Sequence, residues 1–166
     1  MSDSQSSPGE WVLLTYRLPR EPSGPRLALW RRLKKLGAAQ LADGLVALPA
    51  DARTREQLEW AAEEVEEAGG TAGVWFARPA TKALESAISA PMNETRAAEY
   101  IEIFHDARQA CEAGEADRVR VLRRLRAQMR RVERRDFFRP PQCEQARQAL
   151  RELAETSIQN QKEVSS

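Results

Sequence analysis

Between residues 118 and 135 the chain carries nine arginines, at 118, 120, 123, 124, 126, 130, 131, 134 and 135, against one acid, Glu133. That segment is therefore +8, and the remaining residues sum to −7 in a chain of net charge +1. Guanidinium groups at this density are chemistry for phosphate, because each offers forked donors to paired oxygens and binding releases condensed counterions. Leu122, Leu125, Met129 and Val132 fall at helical spacing and mark the buried stripe of one helix over 118–135. Arg123, Arg124, Arg130 and Arg131 lie off that stripe and are the candidate nucleic-acid contacts. The alternative is structural: the same arginines pair with acids at 94–117 and 144–155. No aromatics are interleaved for stacking on single strands.

A second set, Arg17, Arg20, Arg26 and Arg31, surrounds the end of a first strand and the start of a first helix. Guanidinium groups beside a helix N-terminus can hold an oxyanion. Ordinary surface charge is the competing reading. Other chemistries find less support. One histidine, His105, rules out a His-built metal site, and two distant cysteines, Cys111 and Cys143, form no C-x-x-C motif. No metal ligand set and no cofactor motif is expected, neither a G-x-G-x-x-G nor a P-loop. No catalytic residues are identified, and an enzyme is not the expectation. No apolar run reaches the roughly 18 residues of a membrane helix, and Met1 to Glu10 does not read as a signal peptide. The expectation is a soluble cytoplasmic protein with no membrane partner.

The elements that must position these residues follow from the pattern. Residues 1–10 read as a disordered tail. Trp11–Leu18 is aromatic and branched, which predicts a strand ended by Pro19. Leu29, Leu33 and Leu36 predict a helix over 26–36, stopped by Gly37. Asp43-Gly44 between two short apolar runs predicts a type I′ hairpin. Thr54-Arg-Glu-Gln57 reads as a capping box, followed by a helix that Gly69-Gly70 ends and a strand over Thr71–Ala77. The order predicts an α+β fold: a ferredoxin-like βαββαβ domain over 11–79, then an α-helical region over 80–156 and a polar tail over 157–166. In the helical region Thr81 to Ala90 reads as a short helix or linker interrupted by Pro91. Asn93 to Ala113 reads as a helix. Asp117 is expected to cap the arginine helix, and Gln142 to Thr156 is the last helix, with Ala146, Ala149, Leu150 and Leu153 inward.

Several stretches carry a resemblance. Trp11 to Ser23, Arg26 to Ala38 and Leu41 to Pro49 look like the N-terminal domain of the chromate resistance protein ChrB family. Glu56-Gln-Leu-Glu-Trp60 before Gly69-Gly70, and Arg135-Asp-Phe-Phe138 before the last helix, are similar to it too. The resemblance runs from about residue 10 to 155 and reads as a stand-alone form of that domain; longer members carry a second, C-terminal domain. It implies a regulator that senses chromate and controls the chromate efflux operon, with DNA of that operon and chromate or a sulfate-like oxyanion as partners. A homodimer, or a separate C-terminal-domain partner, completes the implied set. A non-enzymatic protein-interaction module and a chromate-reducing enzyme are the alternatives. The front portion also resembles the ferredoxin-like part of the phenylacetate-pathway repressors.

Overall fold

The computed structural model describes residues 9–164, and side chains through residue 159. The chain divides into two compact units after Met92. The expected tails at 1–10 and 157–166 fall partly outside the described residues.

The first unit runs β1 (Trp11–Arg17), α1 (Gly24–Leu36), β2 (Ala39–Ala42), β3 (Leu45–Pro49), α2 (Ala52–Glu67) and β4 (Thr71–Ala77), then enters α3 (Lys82–Ala110). The four strands form one sheet in the order β2-β3-β1-β4, with every neighbouring pair antiparallel. Register explains the core. Val12 faces Leu48 and Leu14 faces Val46, so period-2 alternation sends all four side chains to one face. They are buried there with Leu29 and Leu33 of α1 and Leu58, Ala61 and Val65 of α2. Each such side chain contributes about 1.5–3 kcal/mol on burial. On the opposite face Leu84 and Ile88 of α3 join Trp11, Leu13 and Ala47 around an apolar cavity of about 190 Å³.

Two local expectations are corrected. The Asp43-Gly44 hairpin forms, but only Gly44 has positive φ (73°), whereas a type I′ turn needs it at both central residues. A register shift between Gln40 and Ala42 supplies the local twist instead. The capping box of α2 sits one turn earlier than expected. Asp51 is the N-cap and accepts from the Thr54 backbone N–H at 2.7 Å, while the Thr54 hydroxyl accepts from the Asp51 N–H at 2.9 Å. Thr54 is also fully buried and its hydroxyl donates to the Pro49 carbonyl at 2.6 Å. Tertiary burial selects which Ser, Thr or Asp does the capping. Gly37 ends α1 as expected, left-handed at φ 75°, with the Ala38 N–H donating to the Leu33 carbonyl.

The second unit packs the later part of α3 with α4 (Glu115–Arg134) and α5 (Gln142–Val164). Its core joins Tyr100, Ile103 and Ala107 of α3, Leu122, Leu125, Met129 and Val132 of α4, and Ala146, Ala149 and Leu153 of α5. The α4 and α5 stripes are those the spacing predicts. Three boundaries differ. Pro91 lies inside α3 rather than ending a helix. An interior proline costs about 3 kcal/mol, and buried Tyr100, Ile103 and Ala107 beyond it offset that cost. Gly114, not Asp117, is the N-cap of α4; Asp117 lies in the first turn and pairs with Arg120 at 2.7 Å. Finally, α5 does not stop at Thr156. Ser157 is buried and its hydroxyl donates to the Leu153 carbonyl at 3.0 Å, which lets the helix bury a polar residue where a tail was expected.

Candidate functional site

The sequence of α4 alternates a narrow apolar stripe with arginines, so folding must put most of the charge on the surface. The nine arginines separate into distinct environments. Arg118 is buried, 6% exposed, and its Nη1 donates to the Ala113 carbonyl. It belongs to the core side of the helix. Arg135 pairs with Glu99 at 2.9 Å. Arg120 pairs with Asp117, and Arg124 with Asp106 of α3 at 3.1 Å. Glu133, the one acid of the segment, takes two donors from Arg147 of α5, Nε at 3.0 Å and Nη2 at 2.7 Å. That bond holds the Arg147 guanidinium above its ordinary pKa.

Arg134 is exposed and partnered. Arg123, Arg126, Arg130 and Arg131 remain. All are exposed, and none forms an ion pair among the described residues. Arg123, Arg126 and Arg130 recur at i, i+3 and i+7, which puts them on one side of the helix. They span about 10 Å of helix axis at 1.5 Å per residue. Of the four arginines singled out from sequence, Arg123 and Arg130 therefore lie on this free stripe. Arg131 lies off it, and Arg124 is turned to Asp106. Arg126 was missed, although its i+3 spacing from Arg123 was legible.

The second set is placed differently. Arg17, Arg20, Arg26 and Arg31 are all exposed. Arg17 borders a shallow depression with Thr15 and Thr71. The larger groove between α1 and α2, about 680 Å³, is lined by Arg32 and Lys35 instead. Glu64 and Glu67 line it too, and Arg32 is bonded to Glu64. Acids in the groove oppose an anion there.

Sequence reasoning also missed a polar cluster in the second unit. Tyr100 is fully buried and its hydroxyl donates to Asp136 Oδ2 at 2.7 Å. Asp136 Oδ1 accepts from the backbone N–H groups of Phe138 and Arg139, at 3.1 and 2.8 Å. Burial first, and then the bond to Asp136, push the Tyr100 phenol well above the usual range. Nearby, Glu99 bridges Arg96 and Arg135, each at 2.9 Å. Arg96 Nε is nonetheless out of hydrogen-bond alignment, and its Nη1 is buried without a partner among the described residues. Burial draws the Arg96 guanidinium below its ordinary pKa, with Glu99 opposing. The signal was Tyr100 on the inward side of a predicted helix, since a buried phenol needs an acceptor. The cluster carries two guanidinium groups and two carboxylates, so its charges balance, and its geometry is that of a tie between helices. Cys143 is buried, and Cys111 is half-buried with its thiol donating to the Ala107 carbonyl. His105 is exposed with its ring edge-on to Phe104. No cluster of three or more potential metal ligands occurs among the described residues. Nor is any described helix long and apolar enough to cross a membrane.

The family model described as "Protein ChrB, N-terminal" matches residues 26–118, from α1 to the first turn of α4. Protein ChrB of Cupriavidus metallidurans (strain ATCC 43123 / DSM 2839 / NBRC 102507 / CH34) is 30% identical over 130 residues, covering 77% of this chain. The chain spans 40% of that relative's length. No solved structure matches. The free arginines of α4 thus lie just beyond the segment that the family model covers. That segment is more than half of the 166 residues, and it makes this chain a member of the ChrB family, matched through its N-terminal part.

Proposed function

We propose that this protein is a non-enzymatic, cytoplasmic chromate-resistance regulator that responds to chromate and controls expression of a chromate efflux operon, with α4 as its contact to DNA. Membership in the ChrB family supports the chromate-resistance role. The observation that carries the DNA contact is the stripe of Arg123, Arg126 and Arg130, exposed and without ion pairs among the described residues. Its length of about 10 Å matches roughly three charges of one DNA strand, which recur every 3.4 Å. The front unit is read as ferredoxin-like. What supports that reading is the strand order: taken from the other edge it is β4-β1-β3-β2, and each β-α-β crossover skips one central strand.

A salt titration of binding to promoter DNA, with and without chromate, tests the proposal. The slope of log K against log salt changes by about 0.9 per phosphate neutralised on duplex DNA. Changing Arg123, Arg126 and Arg130 together to Gln should therefore flatten it by about 2.7 if each meets one phosphate. Chromate should shift the midpoint. No binding by the parent protein at low salt, or an unchanged slope in the triple variant, overturns the assignment.

A further inference from the structure

We infer that β4 is a self-pairing edge through which two copies of this chain join their sheets. In the order β2-β3-β1-β4 the strand has one neighbour, β1, so its outer row of backbone donors and acceptors is unpaired by the sheet. Such an edge is a template for another strand. Edges in soluble proteins are usually blunted by charge, proline, bulges or shortness. Here the strand Thr71-Ala-Gly-Val-Trp-Phe-Ala77 has seven residues, no charge and no proline, and its register with β1 is unbroken. It also exposes two aromatics, Trp75 at 58% and Phe76 at 51%.

The sequence of β4 fits a second copy of itself. Two-fold antiparallel pairing about Val74 sets Thr71 against Ala77, Ala72 against Phe76, and Gly73 against Trp75. Each large side chain then meets a small one. The indole of Trp75 leans inward from the edge toward β1, donating to the Thr15 hydroxyl at 2.9 Å, with Gly73 beneath it.

Charge agrees with the same register. Arg78, the next residue after β4, comes opposite Gly70 of the other copy, close behind Glu66 near the end of α2. Both charged side chains are exposed and form no ion pair among the described residues. The two-fold axis brings the positive end of each strand to the acidic end of the other helix, twice. A seven-residue strand pair buries less than the roughly 800 Å² per partner of a standard interface, so the dimer should have a micromolar dissociation constant.

Sedimentation equilibrium of the whole chain tests this. The parent should pass from monomer to dimer across about 1–100 μM. Arg78→Glu sets like charges against each other and should weaken the dimer about tenfold or more. Adding Glu66→Arg to that variant should restore it. Amide exchange in β4 should slow as concentration rises. A parent that stays monomeric throughout that range, or a dimer that Arg78→Glu leaves unchanged, overturns the inference. Weakening without rescue overturns this register.

Discussion

Changing Tyr100 to Phe removes a single oxygen atom from the core of the second unit. The ring is fully buried, and the hydroxyl donates to Asp136 at 2.7 Å. Phe keeps the ring's packing, so little cavity cost enters. What is lost is one hydrogen bond to a charged acceptor, worth about 1.5–3 kcal/mol. Asp136 keeps two backbone donors on its other oxygen, which places the cost toward the lower end, about 2 kcal/mol. The pH dependence separates this bond from simple packing. The folded-state phenol is held well above the usual range, by burial and then by the bond to Asp136. In the unfolded chain it ionises near pH 10. Above that pH the unfolded state loses a proton that the native state retains, so parent stability falls as pH rises. The Phe variant lacks this term. The gap between the two proteins should be constant from about pH 7 to 9 and shrink by about 1.4 kcal/mol per pH unit above 10. Urea unfolding followed by circular dichroism at pH 7, 9, 10.5 and 11 reads both effects. A loss under about 0.5 kcal/mol at pH 7, or a gap that stays constant above pH 10, refutes the reasoning.

Two further outcomes follow from local geometry. Gly44→Ala places a Cβ against the Tyr16 carbonyl oxygen at a φ of +73°, so the hairpin must shift. A loss of about 1–3 kcal/mol is expected, and unchanged thermal unfolding would contradict it. Arg118→Ala should cost about 1–3 kcal/mol through its buried stem and its bond to Ala113. Arg123→Ala, on the exposed side of the same helix, should stay within about 0.5 kcal/mol. Equal effects on the unfolding midpoint would show that the burial contrast along α4 has no energetic consequence.

Much of this protein was legible one residue at a time, where a local rule acts alone. Strands β1 and β4 announce themselves by branched and aromatic runs, and Gly37 ends α1 because the left-handed position favours glycine. The apolar stripe of α4 follows from the 3.6-residue period and needs no knowledge of its neighbours. Other features depend on what the rest of the chain brings near. Asp51, not Thr54, caps α2 because Thr54 is drawn into the core beneath Pro49. Pro91 sits inside α3 because the buried side chains beyond it outweigh one missing backbone bond. The division of the nine arginines is decided in the same way. Spacing shows which of them leave the apolar stripe, but whether a guanidinium meets an acid depends on Asp106 and Glu99 of another helix. Charge pairing acts through space over a few ångströms, so it follows tertiary neighbours and not the order of residues along the chain. The free stripe of Arg123, Arg126 and Arg130 is what remains once the fold has placed those acids elsewhere.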